Sequence, residues 1–525
     1  MIINGQHLRE DLRVDADLCI VGTGMSGSSL LRELASLPLK IVVIEAGDAN
    51  CVRATLEAEM IGRAFALPRT RAVQLGGTIN LWHGVCAPLD PIDFEVRPWI
   101  ADSGWPISRE QLDPFYARAS SLLSIPEHEY FQEQKLPPAA SDRLADIQVD
   151  ETIVARKLFQ VSAAPKKLRR MLEDDLQGSD RIQCFTNSCA VELLTSESDR
   201  DVEQLKVITA SQRTLTVRAR SYVLCAGGLE TPRLLLNSTG RNRTGVGNEQ
   251  DLVGRYLADH PQGNLCQIQF RTPQRAALYS DLRLGETVIR TGLVFCDDVQ
   301  RRHAMPNHTF YLRPSFKRSL CDDTERIKRA CCAVASGKPT MAELGLVIKH
   351  PVVAGRLFAY KRTLKVKYRY ADMFCQTDQV PNPDSRVQLS DTTDSFGYRL
   401  ARVNWAPTQQ DFESMETTFR LLNQALAKGP YQMVHRLQDL NWNACMTSAA
   451  HHLGTARMGA SPAKAVVDEK LQVFGKRNLF VCDASVFPTA GNANPSLTIC
   501  ALAIRLADHL KQQTAVDSHA ASATH

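Results

Sequence analysis

An α/β fold class, with a second part built on an antiparallel sheet, is predicted by three observations. The chain opens with a strand, a glycine-rich turn and a helix, and a second strand follows that ends on an acid. Segments in the middle alternate apolar and polar residues with the period of two that marks half-buried strands. The stretch from about Pro261 to Asn443 is expected to form a cover, a sheet with packed helices. At 525 residues, with 44% hydrophobic and 23% charged side chains, the chain is long enough for two or more domains with sizeable cores.

The first element is the most specific. Asp17 to Gly22 reads as a strand, Ser26 to Leu37 as a helix with apolar Leu30, Leu31, Leu34 and Leu37, and Leu39 to Ile44 as a second strand. Between strand and helix lies Gly22-Thr23-Gly24-Met25-Ser26-Gly27, and Glu45-Ala46 caps the second strand. In a Rossmann-like unit Gly22 makes the turn, Gly24 lets the backbone approach a pyrophosphate, and Gly27 permits close helix packing. The helix start at Met25 and Ser26 offers free N–H groups and a positive dipole end to phosphates. Glu45 is placed to accept hydrogen bonds from ribose hydroxyls. A bare G-x-G-x-x-G is weak evidence, but in this context it predicts a dinucleotide site. The turn alone does not choose between FAD and NAD.

Next comes Arg71 to Gly84, RAVQLGGTINLWHG. Its Gly76-Gly77-Thr78 turn suits close approach of backbone to a flat ligand, with Arg71 and Trp82 on either side. His83 is a second candidate histidine, either chemical or packed beside Trp82 to shape a pocket wall. Ile182 to Val191, Leu205 to Ala210 and Leu215 to Cys225 read as a small antiparallel meander. It runs into Ala226-Gly227-Gly228 and a helix with Pro232 near its first turn, which either seats the chain beneath a cofactor or is simply a well-capped helix.

The last seventy-five residues hold the candidate chemistry: His451-His452-Leu453-Gly454-Thr455, then Asp483-Ala484-Ser485, then Asn494-Pro495. A histidine and an amide forty-three residues apart are the pair needed to take a proton from an alcohol. A base at one end and a nucleotide cradle at the other point to a flavin-dependent alcohol oxidoreductase.

With these four motifs in order, the chain resembles the glucose–methanol–choline oxidoreductase family, and its ending FPTAGNANPSLTICALAIRLADHL looks closest to the bacterial and pyranose-oxidase-like branches. The resemblance covers about Asp15 to Val85, Gln183 to His260, and Ala444 onward. It implies FAD as cofactor and His451, the first residue of H-x-x-G-T, as proton acceptor, with His452 in the next, usually non-catalytic position. It implies Asn494 as the second active-site residue, hydrogen-bonded to the substrate oxygen while hydride moves to flavin N5. Asp483 and Ala484 fall where relatives hold the pyrophosphate and ribityl chain, Val191 where a backbone group meets the adenine, and Ala226, Gly227 and Pro495 within the same cofactor-binding set. Some members attach FAD covalently through a histidine after the glycine turn; the matching position is Leu81, so non-covalent FAD is expected. The S-G-[LIVM]-G ending common after the T-P motif is replaced by Ser238-Thr239-Gly240-Arg241. The resemblance implies an FAD-binding domain from residues 1–100, 183–260 and 444–525. A substrate-binding cover domain then comprises 101–182 and 261–443. The substrate the resemblance points to is a sugar, glycoside or polyol, and oxygen, a quinone or a redox protein is the electron acceptor. Alternatives within the family are a hydroxynitrile-lyase-type flavoprotein without net redox and a non-catalytic flavoprotein subunit.

The bulk numbers exclude other classes. A net charge of +5 among 119 charged side chains gives no case for a nucleic-acid partner. Fifteen cysteines show no C-x-x-C pair and no zinc-like spacing, so no metal site is expected and a reducing compartment suits them better than a disulfide framework. The opening Met1-Ile2-Ile3-Asn4-Gly5-Gln6 lacks the pattern of a signal peptide, and a cytoplasmic protein is expected. One segment stands apart: Arg313 to Arg369 holds fourteen Lys or Arg and four Asp or Glu. This basic helical insertion, about 313–370, is either a solvated face or a lid that touches anionic lipid, a quinone pool or a negatively charged substrate.

Overall fold

The computed structural model describes residues 1–50, 57–65, 67–145, 148–274, 281–318, 323–363, 366–429, 431–435 and 446–523. The fold is mixed α/β. A first sheet runs in the order Ile2–Asn4, Ile182–Thr186, Ile41–Ile44, Leu12–Val21, Thr214–Leu224, all parallel. Ile41–Ile44 is buried on both faces, as expected for the middle of a parallel sheet. Thr214–Leu224 is long enough to serve two partners on its outer edge. Its first half pairs antiparallel with Val202–Thr209, which in turn pairs with Ser188–Thr195, and its last three residues pair in parallel with Leu479–Val481.

The expected meander is therefore split. Ile182–Thr186 joins the parallel strands, and only the chain after Asn187 turns back. Asn187 adopts a positive φ of 51°, and its side-chain amide donates to Asn4 and Asp48, which pins the reversal. Alternation of residue types carries the period of a strand but not the direction of its neighbour.

The helix Met25–Leu34 packs between the first sheet and the carboxy-terminal helix Ser496–Ala523; Leu30, Leu31, Leu497 and Cys500 share one buried cluster. The second sheet is antiparallel throughout: Tyr431–His435, Gln262–Gln274, Tyr368–Gln376, Thr309–Ser315, Thr287–Phe295, Val154–Val161 and Val85–Cys86. Helix Gln409–Leu426 buries Met415, Leu421 and Leu422 in the same core as the inward residues Ile268, Phe310 and Met373 of that sheet. A third, small sheet joins Arg386–Thr393, Arg399–Asn404 and Ala58–Met60 around Trp405.

The basic insertion forms the helices Asp323–Ala335, Met341–Lys349 and Pro351–Thr363, with Pro351 marking the break between the last two. Residues 319–322, 364 and 365 of it lie outside the described residues. Among the described residues no helix is long and apolar enough to cross a membrane, and the cysteines described are free thiols.

Candidate active site

A cavity of about 480 Å3 lies where the first sheet's strand ends meet the second sheet. It is lined by Gly22, Gly24, Met25, Ser26, Glu45, Ala46, Arg71, Gly77, Thr78, Trp82, His83, Val191, Ala226, Gly227, His451, Asp483, Ala484, Asn494 and Pro495. Of the residues singled out in the sequence, only Gly27 and Gly76 stand back from it.

Sterics separate the three glycines of the first turn. Gly22 has φ 100°, and a Cβ there would meet the Cys225 carbonyl oxygen at 2.6 Å. At Gly27 a Cβ would lie 2.1 Å from the Gly22 carbonyl oxygen, so the helix could not pack onto the turn. At Gly24 it would meet nothing within 4 Å. The first two serve the fold, and the third leaves the cavity open.

Two helices begin at the wall, Met25–Leu34 and Ser496–Ala523, neither with an acid in its first turn. Their unpaired N–H groups and dipoles favour negative charge in the cavity. Glu45 is buried, and its carboxylate accepts from the Gly47 N–H at 2.9 Å and from both the N–H and hydroxyl of Thr23. The Thr23 hydroxyl in turn accepts from the Gly76 N–H at 2.8 Å, which locks the two glycine turns together. Burial raises the Glu45 carboxyl above its usual range, against the lowering effect of these donors. The Asp483 carboxylate is occupied by the N–H groups of Gly227 and Ser485 and by the Thr231 hydroxyl, so it ties the Ala226-Gly227 turn to the carboxy-terminal block. A Cβ at Gly227 would meet nothing, and the buried Trp82 indole N–H has no partner among the described residues. Open glycine backbone, two helix starts and an unpaired donor fit a dinucleotide. Arg71 sits 3.7 Å from Glu230, and His83 is exposed at the rim.

On the other side the site is made of side chains. The loop carrying His451 is fastened at both ends to one stretch of chain, through Thr447 to Gln262 and Leu453 to Ala258. Between them the Asp259 carboxylate accepts four hydrogen bonds, from the N–H groups of His260, Ala449 and His451 and the Ser448 hydroxyl. His451 Nδ1 lies 3.0 Å from His260 Nδ1, and His260 Nε2 lies 3.1 Å from the Gly491 carbonyl oxygen.

That geometry sets the protons. A carbonyl only accepts, so His260 carries its proton on Nε2. Burial lowers the His260 pKa, so the ring is neutral and its Nδ1 is an acceptor. His451 must then donate from Nδ1, which leaves His451 Nε2 as a bare, basic nitrogen. Burial, reinforced by His260 and His452, brings the His451 pKa down to about 3 and keeps it neutral. Asp259, His260 and His451 each offer an atom within 4.8 Å of the others, but Asp259 is taken up by backbone N–H groups and the Ser448 hydroxyl, so the relay runs through the two histidine rings alone.

The doublet resolves by environment. The His452 ring lies 4.6 Å from the Phe65 ring, its Nε2 is buried without a partner among the described residues, and burial takes its pKa down to about 4. The Asn494 amide oxygen accepts from Gln376 Nε2 at 3.1 Å, and one of its N–H groups donates to the Val85 carbonyl, which leaves the second N–H for a ligand. Gln376 is paired with Gln262, the residue that also holds Thr447, so base loop and amide share one strand end. Behind Gly491, its N–H donates to Asp378, whose other oxygen forms a fully buried ion pair with Arg97 at 2.8 Å.

Sequence reasoning missed Thr23, Asp259, His260 and Gln376. Asp259-His260-Pro261 could have been found as a charged pair between apolar Leu257 and a proline, too polar for a strand end without partners. Thr23 and Gln376 left no signal.

Two models of the GMC oxidoreductase family match the chain, the amino-terminal one over residues 174–262 and the carboxy-terminal one over 381–503. Paromamine 6'-oxidase of Streptomyces fradiae is 24% identical over 96% of this chain and 92% of its own. C-glycoside 3-oxidase of Microbacterium trichothecenolyticum is 25% identical over 84% of this chain and 76% of its own. Among solved structures, pyridoxine 4-oxidase from Mesorbium loti superposes with a TM-score of 0.57 at 18% identity, covering 94% of this chain and 99% of that one. Both family models match in order, and together with the glycine-built nucleotide cradle that faces the histidine–amide pair they identify the chain: it belongs to the GMC oxidoreductase family and is an FAD-dependent enzyme.

Proposed function

We propose that this enzyme oxidises a CH–OH group of a sugar, glycoside or polyol to a carbonyl, with His451 as the base. The observation that carries the reading is the relay from the Gly491 carbonyl through His260 to His451 Nδ1, which leaves His451 Nε2 free to accept the hydroxyl proton. The second N–H of Asn494, oriented by Gln376, donates to the substrate oxygen and stabilises the charge that develops as its proton leaves. Bound FAD supplies the oxidising chemistry by accepting the hydride of the alcohol carbon.

The residues that would hold it follow from the cavity wall. The Gly22–Gly27 turn and the start of helix Met25–Leu34 take the pyrophosphate, Glu45 the ribose hydroxyls, and the chain at Val191 the adenine. The Ala226-Gly227 and Ala484 backbone, positioned by Asp483, lies along the remaining length toward Pro495. The FAD is non-covalent, since Leu81 offers no nucleophile after the glycine turn. The sugar-like substrate class is supported by the name of one relative, the C-glycoside 3-oxidase, matched over 84% of this chain.

The test is an absorption spectrum followed by anaerobic mixing with sugars, glycosides, polyols and simple alcohols. The reading predicts flavin bands that bleach with one of the first three classes, and a flavin released into the filtrate on denaturation. A flavin that stays oxidised while substrate is consumed contradicts it in favour of a lyase. Bleaching only by simple alcohols overturns the substrate class.

A further inference from the structure

We propose that the helices Met341–Lys349 and Pro351–Thr363 form a docking surface for an anionic phospholipid bilayer. These helices are covered on one side only. Their inner residues Leu346, Val347, Val353, Ala354 and Leu357 pack into the second core, beside Ile327 and Cys331 of the neighbouring helix. Their outer residues are also apolar. Met341 is 84% exposed, Ile348 74%, Val352 68% and Phe358 46%. These four are half of all the exposed large hydrophobic side chains among the described residues. Met341, Gly345 and Ile348 follow the spacing of one helix face, and Pro351, Val352 and Gly355 continue the exposed apolar run. A helix apolar on two sides but packed on one leaves a face that water covers poorly.

Charge selects the occupant. From Leu344 to Ala371 the chain has no Asp or Glu and seven Lys or Arg, among them Lys349, Arg356, Lys361 and Arg362. A second copy of this chain is a poor match, because a two-fold interface would set these cations against themselves. A bilayer with acidic headgroups meets both demands: apolar side chains enter the acyl boundary and the basic side chains meet phosphate. The two helices, 9 and 13 residues long, are too short to span a hydrocarbon core of about 30 Å, so the contact lies in the plane of the surface. The surface is separate from the cavity and does not depend on which alcohol is oxidised.

The experiment is flotation of the full-length holoenzyme with phosphatidylcholine vesicles and with vesicles that also contain phosphatidylglycerol, read by flavin absorbance in the floated layer. The wild type is expected to float with the acidic vesicles, to stay behind with phosphatidylcholine alone, and to be released by high salt. Ile348→Asp/Val352→Asp and, separately, Lys349→Glu/Arg356→Glu should each cut vesicle affinity at least about tenfold, with flavin spectrum and melting temperature unchanged. Wild type that remains unbound to acidic vesicles overturns the proposal, as do variants that float like wild type. A wild-type dimer that either variant converts to monomer assigns the face to a second copy instead and overturns it too.

Discussion

The two walls of the cavity are made of different material. The wall from the parallel sheet is backbone: glycines that admit close approach, and helix starts with unpaired N–H groups. The wall from the carboxy-terminal loops is side chain: His451 and Asn494, held from behind by fixed hydrogen bonds to Asp259, His260 and Gln376. Backbone is generic and suits a cofactor that many enzymes share. Side chains are particular, and here they decide which nitrogen of one imidazole is basic. The comparison predicts that damage to the first wall costs binding, whereas damage to the second costs rate.

The largest effect expected short of the base itself is on the support of the second wall. Arg97→Met leaves Asp378 buried without its partner, and a broken buried pair costs about 3–5 kcal/mol. Thermal or urea unfolding of the holoenzyme measures it. A change under about 1 kcal/mol would mean that Asp378 is held by its backbone donors alone.

Next is His260→Phe, which keeps the volume but removes the acceptor of the His451 Nδ1 proton. The rate of anaerobic flavin reduction should fall about a hundredfold, the lower end of what a positioned general base contributes. Flavin affinity should not change. The pH profile carries a second sign. His451 must be unprotonated to act, so activity is lost as pH falls through its pKa. In the wild type that pKa lies near 3, so the acid limb sits far below the ordinary imidazole range. In His260→Phe burial, the largest cause of that lowering, remains, so the limb should stay in the same low range. A normal rate would reduce His260 to packing.

The smallest effects sharpen the first wall. Gly24→Ala projects a methyl into open cavity, so the protein should fold normally and bind FAD about tenfold more weakly. Gly27→Ala drives a methyl against the Gly22 carbonyl oxygen and should cost about 1–3 kcal/mol of stability. If the two variants behave alike, the separation of roles within the turn is wrong.

The same contrast explains what could be read from sequence. The Gly22–Gly27 turn, Glu45, the Gly76-Gly77 turn and the His451 and Asn494 blocks are local patterns whose chemistry depends on neighbours in the chain, and the cavity gathers them. His260 meets His451 across 191 residues and Gln376 meets Asn494 across 118, so neither contact leaves a spacing to find. Thr23 sits inside the turn motif at a position where the motif allows any residue, yet it joins Glu45 to Gly76. Strand direction was equally hidden: Ile182–Thr186 alternates like a meander strand, and the reversal at Asn187 rests on partners at Asn4 and Asp48.

The proposed base is His451 rather than its neighbour. The direct measurement is the anaerobic flavin-reduction rate of His451→Gln against wild type, with the alcohol that bleaches the flavin fastest. A fall of about 10²–10⁴, with FAD still bound, is the loss expected when a general base is removed. A rate within about twofold of wild type would contradict the claim and move the base to His452 or His83.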